Sequence, residues 1–93
     1  MKSAAGSGWT IEFNAVAERQ LAKLDRAVQR RILDVLEKRV APDPRRVGEA
    51  LRGPLKGLWR YRVGDYRILC RIENDRLVVL VVAIGHRREI YDW

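Results

Sequence analysis

The chain has 93 residues, a formal net charge of +7 and a hydrophobic fraction of 47%, which together predict one small globular domain with a single core. No apolar run approaches the ~20 residues of a membrane-spanning helix. The single cysteine excludes an internal disulfide and fits a reducing compartment, so we expect a cytoplasmic protein that does not contact a membrane. One cysteine and one histidine supply too few ligands for a metal site, and we expect neither metal nor cofactor.

Positive charge is concentrated in one part of the chain. Residues 45–71 carry 8 basic and 2 acidic side chains. Residues 1–44 carry 8 basic and 6 acidic side chains, and residues 72–93 carry 3 basic and 4 acidic side chains. A localised basic region favours a polyanionic partner, above all nucleic acid. Charge alone leaves a second interpretation open, which is a solvated basic surface without a partner.

The first half of the chain predicts an N-terminal arm, a short strand and two helices. Residues 1–8 lack an apolar segment and are typical of a flexible arm, which leaves residues 9–93 as a single domain. Residues 9–13 (WTIEF) alternate as in a strand, and Asn14 is suited to cap the helix that follows. A second apolar stripe of helical period ends before Pro42, so the two helices are expected to form a hairpin.

After a predicted loop over residues 45–56, the sequence GLWRYRVGDYRILCRI (57–72) predicts a β-hairpin. A type II′ turn at Gly64 and Asp65 would pair the residues on either side of it, and this register sorts the side chains by face. One face is apolar. The other face carries four arginines: Arg60, Arg62, Arg67 and Arg71. Arg62 lies directly opposite Arg67, a like-charge pair that is destabilising unless an anion lies between them.

Residues 77–84 (LVVLVVAI) are apolar on both faces, which predicts a central strand reached through a turn at Asn74 and Asp75. The element order is then β-α-α-β-β-β. We therefore predict an α+β fold in which the helical hairpin packs on one face of a mainly antiparallel four-stranded sheet. The arginine-bearing face is expected to stay open.

The basic residues predict a phosphate-binding surface. Guanidinium groups bind phosphate through planar bidentate forks and stay charged at any working pH. The strand arginines could line one concavity together with three further residues: Lys56, Arg87 and Tyr91. Metal-free cleavage of RNA would also need proton transfer, for which arginine is poorly suited, and His86 and Tyr91 are the nearby groups with more suitable proton chemistry.

Three features resemble the RelE branch of the RelE/ParE toxin superfamily: the run LRGPLKGLWRYRVGDYRI, the run VVLVVAIGHRREIY and the element order. The resemblance extends from about Trp9 to Tyr91. It implies the toxin of a bacterial type II toxin–antitoxin pair, an endoribonuclease that cuts mRNA in the ribosomal A site by metal-independent 2′-OH attack. The implied partners are a cognate antitoxin, ribosomal RNA and mRNA, with DNA contacted only indirectly through the antitoxin.

The resemblance also assigns roles to individual residues. Catalysis is expected of Arg62, Arg67, Arg87 and Tyr91. Phosphate or RNA binding is expected of Arg60, Arg71, Lys56, Arg45 and Arg46. The best-known relatives have lysines where this chain has Arg60 and Arg62, and because arginine is a poor base, His86 becomes a candidate general acid or base.

Two other functions fit the same fold. One is a ParE-like toxin that poisons DNA gyrase without cutting RNA, and the other is an inactive toxin that acts only in a repressor complex with its antitoxin. The arginine set and the C-terminal tyrosine favour the RelE-like function, because the ParE-like branch generally lacks both. Only two residues follow Tyr91, so no C-terminal helix is expected to cover the site.

Overall fold

The structure, a computed structural model, describes residues 8–90 and residue 93. Most of the predicted N-terminal arm, residues 1–7, and the predicted catalytic residue Tyr91 therefore lie outside the described residues. Within the described part, Gly8 lies close to the backbone of Ala41, and none of the helices has the length and apolar character needed to cross a bilayer.

The described elements form three helical segments and one sheet. In chain order they are β1 (Thr10–Phe13), α1 (Ala15–Ala22), α2 (Arg26–Val35), a π-helical turn (Leu36–Val40), α3 (Pro44–Val47), β2 (Glu49–Ala50), a 3₁₀ turn (Gly53–Leu55), β3 (Trp59–Val63), β4 (Tyr66–Glu73) and β5 (Val78–His86). The strand order is β1-β5-β4-β3-β2, with β1 parallel to β5 and all other neighbours antiparallel. The predicted α+β fold is confirmed, but the sheet has five strands instead of four.

The additional strand comes from the segment that was predicted as a loop. Glu49 and Ala50 pair with Arg60 and Trp59 at the outer edge of β3. A two-residue strand has no periodicity, so its sequence does not differ from that of a loop. Because β2 is so short, no described residue pairs with the outer side of β3 from Tyr61 onward.

The helical hairpin packs on the predicted face of the sheet. Asn14 caps α1 by accepting a hydrogen bond from the backbone N–H of Ala17 at 2.8 Å. The apolar stripe of the second helix then meets the sheet in a core from which water is excluded. Its fully buried members include Ile32, Leu36, Ile68, Val79 and Val81.

The β3–β4 hairpin has the predicted turn and register. Gly64 has φ of 60° and Asp65 does not adopt a positive φ, as a type II′ turn requires. Arg62 therefore pairs with Arg67. The next turn differs from the prediction, because it spans Asn74 to Leu77 and β5 begins at Val78.

Candidate functional site

The arginine face is the side of the sheet that points away from the helices and carries Arg60, Arg62, Arg67 and Arg71. At the hairpin end of this face, Arg62 lies opposite Arg67, and Arg67 lies opposite Gly85 on β5. Residues paired across neighbouring strands point to the same side of a sheet. Two guanidinium groups therefore stand side by side at this end of the face, next to a position on β5 that has no side chain of its own.

Arg67 is held in place by the hairpin turn. Its Nη1 donates hydrogen bonds to the carbonyl oxygens of Gly64 at 3.2 Å and Tyr66 at 3.1 Å. The pKa of Arg67 is lowered, by desolvation first and then by the positive charges of three neighbours: Arg62, Arg60 and Arg87. An arginine with a lowered pKa stays protonated at working pH, so this side chain is a fixed cation among other cations. Such an arrangement is suited to bind an anion.

Arg87 reaches the same end of the sheet by binding the turn. Its backbone N–H donates to the carbonyl of Asp65 at 2.8 Å, and its Nε lies 3.6 Å from Asp65 Oδ1. The two side chains are 58% and 63% exposed, so this ion pair contributes little to stability and leaves Arg87 accessible to a ligand. The structure thus brings Arg62, Arg67 and Arg87 to one place. No local pattern in the sequence marks Asp65 as the residue that positions Arg87.

Arg60 is engaged within the protein. Its Nη2 lies 2.5 Å from Glu49 Oε1, and its Nη1 donates to the backbone oxygen of Trp93. The hydrogen bond and the charge of Arg60 lower the pKa of Glu49, so the carboxylate stays ionised and paired in neutral solution. A phosphate that binds Arg60 therefore has to displace Glu49. The sequence does not predict this contact, because the contact depends on the short strand β2.

The arginine face is partly covered, which corrects the expectation that it is open. A Cβ added to Gly85 would lie 2.6 Å from Ile90 Cγ2 and 3.7 Å from the Trp93 ring. Residues on both sides of Tyr91 therefore lie against this face. No C-terminal helix is needed for this contact, because two apolar side chains fill the gap beside a glycine.

His86 lies on the other side of the sheet. It pairs with Tyr66, and the two rings meet edge to face with their centroids 5.2 Å apart. His86 Nδ1 accepts a hydrogen bond from the backbone N–H of Arg88 at 3.1 Å, and the side chain faces a pocket of about 400 Å³ at the end of α1. The imidazole and the Arg62–Arg67 pair are thus separated by the thickness of the sheet.

Among the other predicted RNA-binding residues, Arg45 and Arg71 lie away from the arginine cluster. Arg45 donates to Asn74 Oδ1 at 2.7 Å and its guanidinium lies 5.7 Å from the Trp9 ring. Asn74 follows Arg67 by seven residues of extended chain, a distance of roughly 23 Å. Arg46, Lys56 and Arg71 are exposed, and Arg71 is paired with Leu80 farther along β4. Within residues 8–90 and 93, no group of three His, Cys, Asp or Glu side chains could hold a metal ion.

The sequence matches known toxins over most of its length. Residues 11–91 match the family described as "ParE toxin of type II toxin-antitoxin system, parDE". The chain is 32% identical to Toxin RelG of Mycobacterium tuberculosis over 83 residues, which cover 89% of this chain and 95% of that protein. It is 28% identical to Toxin RelE of the same organism over 81 residues, which cover 87% of this chain and 84% of that protein.

Solved structures share the fold. The match to the toxin–antitoxin complex RelBE2 from Mycobacterium tuberculosis has a TM-score of 0.82 and 30% identity, and covers 90% of this chain and 97% of that chain. The match to the archaeal RelE–RelB complex from Pyrococcus horikoshii has a TM-score of 0.63, 26% identity and coverage of 89% and 99%. A mutant of Escherichia coli RelE in the free state matches with a TM-score of 0.71, 22% identity and coverage of 85% and 83%, which shows likeness of fold alone.

Proposed function

Because the chain belongs to the RelE/ParE superfamily of type II toxin–antitoxin toxins, we propose that it is an endoribonuclease that cuts mRNA in the ribosomal A site and so inhibits translation. The observation that carries this proposal is the placement of Arg62, Arg67 and Arg87 at one end of the arginine face. Three guanidinium groups that repel one another are suited to a phosphate, which binds them and removes that repulsion.

The proposed reaction is transfer of a phosphodiester to the neighbouring 2′-oxygen. The 2′-oxygen loses its proton and forms a bond to phosphorus, the bond from phosphorus to the 5′-oxygen breaks, and the leaving oxygen takes up a proton. The products are a 2′,3′-cyclic phosphate and a 5′-hydroxyl. In the transition state the phosphate carries more negative charge than in the ground state, and fixed cations that surround it lower the barrier.

The site supplies strong phosphate binding and little proton transfer. The described carboxylates nearest to the arginines, Asp65 and Glu49, are each paired with an arginine. A ribosome that holds the mRNA with its 2′-OH aligned for attack would supply the orientation, and orientation alone can accelerate such a reaction by several orders of magnitude. We therefore propose that cleavage depends on the ribosome.

The test compares naked mRNA with the same mRNA bound to ribosomes that have an empty A site, with all new RNA ends mapped. We expect cleavage at least about 10³-fold faster on the ribosome. Equal rates on both substrates would contradict ribosome dependence. Gyrase-dependent DNA breaks without mRNA cleavage would establish the ParE-like function instead. Inactivity in both assays would favour the remaining alternative, an inactive toxin that acts only in a repressor complex with its antitoxin.

We also propose that a cognate antitoxin neutralises the toxin. The related solved structures include toxin–antitoxin complexes with RelB, and the arginine face would attract carboxylates to the positions that phosphates occupy in RNA. A disordered segment could wrap the helices and this face and order itself on binding. Contact with DNA would then be made by the antitoxin.

Replacement of His86 with glutamine is expected to change cleavage by less than about tenfold. Its side chain lies on the side of the sheet opposite to Arg62 and Arg67, out of reach of a phosphate bound between them. A histidine base would make the single-turnover rate rise with pH through about 6.5 and level off above it. Single-turnover rates of His86→Gln from pH 5.5 to 8.5 on ribosomes test this. An inactive variant that still folds and binds ribosomes would make His86 the base.

A further inference from the structure

A second concentration of arginines lies at the outer edge of the sheet. The edge pocket, of about 210 Å³, lies where α2 and the π-helical turn pass β3. Three of its lining residues are arginines: Arg31, Arg39 and Arg62. The rest of its lining is mainly apolar and includes Val35, Val47 and Val63. Because β2 does not extend to this point, no strand among residues 8–90 pairs with the edge of β3 beside the pocket.

The helix brings two of these arginines to the pocket. Arg31 and Arg39 are eight residues apart, a little over two helical turns, so they lie on the same side of the second helix with Val35 between them. A Cβ added to Gly64 would lie 3.3 Å from Arg31 Nη1. The guanidinium of Arg31 is therefore packed against the same turn that holds Arg67, and Arg62 belongs both to the lining of the pocket and to the hairpin end of the arginine face.

The positive charge of the edge pocket is only partly balanced by acidic side chains, since Glu49 attracts Arg62 without forming an ion pair with it. Throughout residues 8–90 and 93, none of the described ion pairs involves Arg31, Arg39 or Arg62. Two acidic residues on the elements around the pocket have other partners, since Asp34 binds Lys38 at 2.9 Å and Glu49 binds Arg60. Arginines that share one pocket without a paired counter-charge repel one another, and a bound anion would remove that repulsion.

We propose that the edge pocket binds a phosphate of an RNA backbone through Arg31 and Arg39. Planar guanidinium groups favour phosphate, and Arg62, which pairs with Arg67, also lines the pocket, so one RNA strand would contact both places. The identification of the anion as RNA rests on the proposed function. The existence of a phosphate site rests only on the residues that line the pocket. The phosphate comes either from the mRNA or from ribosomal RNA, and the two sources are separated by the experiment.

The experiment measures equilibrium binding of the Arg31→Ala/Arg39→Ala double variant at several salt concentrations. The probes are ribosomes with an empty A site and a 12-nucleotide single-stranded RNA. We expect binding to at least one probe to weaken at least tenfold at low salt, and the slope of log K against log[salt] to fall by about 1, as the loss of one or two phosphate contacts predicts. Loss on both probes assigns the phosphate to mRNA, and loss on ribosomes alone assigns it to ribosomal RNA.

Arg30→Ala/Arg26→Ala is the matched control, because it removes the same charge from exposed positions of α2 that do not line the edge pocket. It is expected to change binding less than threefold. Equal losses in both double variants would mean a diffuse charge effect and overturn the proposal. If the Arg31→Ala/Arg39→Ala variant binds RNA normally but binds an antitoxin more weakly, the pocket is a binding site for the antitoxin. That result would also overturn the proposal.

Two further measurements separate this proposal from the proposed function. The binding assays need no cleavage, so a wild-type protein that never cuts mRNA can still confirm the edge pocket while the nuclease function fails. An Arg31→Lys/Arg39→Lys variant keeps the charge and the fold but loses the planar forks, and it should recover only part of the affinity. Full recovery with lysine would contradict bidentate phosphate binding.

Discussion

Arg67→Ala is expected to lower single-turnover mRNA cleavage on ribosomes by about 10²- to 10³-fold, the usual loss when one preorganised donor to a transition-state charge is removed. The guanidinium is fixed by the carbonyls of Gly64 and Tyr66 and lies beside Arg62. It therefore does not have to reorient as charge develops on the phosphate. Ribosome affinity should fall far less than the rate, because many other contacts support binding.

Stability and charge controls make this prediction specific. Removing Arg67 relieves repulsion from Arg62, so the thermal midpoint of Arg67→Ala should equal or exceed that of the wild type. Arg67→Lys should recover only part of the rate, because lysine lacks the planar fork. Arg30→Ala, on the outer side of α2, should cut at nearly the wild-type rate. If Arg67→Ala cuts at the wild-type rate once bound, the role assigned to it is wrong.

Tyr91→Ala is expected to lower the single-turnover rate by about 5- to 150-fold, the equivalent of the ~1–3 kcal/mol that stacking of an aromatic ring on a base contributes. Tyr91→Phe should keep most of the activity. The described neighbours of this residue, Ile90 and Trp93, lie against Gly85 on the arginine face. We propose that the tyrosine ring stacks on the nucleotide next to the scissile phosphate and orients its 2′-OH.

The comparison of the two substitutions distinguishes stacking from proton transfer. Phenylalanine retains the ring and loses the hydroxyl, so equal damage by Tyr91→Phe and Tyr91→Ala would show that the hydroxyl carries the proton. Trp93→Ala is a control for loss of an aromatic ring from the same segment. It should leave the bound-state rate within about fivefold of the wild type if the effect belongs to Tyr91.

The β3–β4 hairpin could be predicted because its information is local. A glycine that must adopt a positive φ fixes the turn, the turn fixes the register, and a period of two then decides which side each residue faces. The opposition of Arg62 and Arg67 follows directly. The helical hairpin was predictable for a similar reason, since a cap and an apolar stripe of helical period are both visible within a few residues.

The position of His86 could not be predicted in the same way. The pairing of β4 with β5 contains an irregularity between Leu69 and Cys70, so both Val81 and Ile84 face the core although they are three positions apart, an odd number. Such an irregularity is a response to packing and has no signature in this sequence. A prediction of His86 near the arginines rested on closeness in the chain, and the sheet places its side chain on the other side.

The amino-acid sequence by itself determined the α+β class, the order of the main elements and the row of arginines on one face, because these depend on periodicity, capping and one turn. Only the tertiary structure decided which of the charged residues act together. Asp65 binds Arg87, Glu49 binds Arg60, and the second helix places Arg31 beside the hairpin turn. These contacts join residues that are distant in the chain, and their geometry depends on how the helices and strands pack rather than on any local pattern.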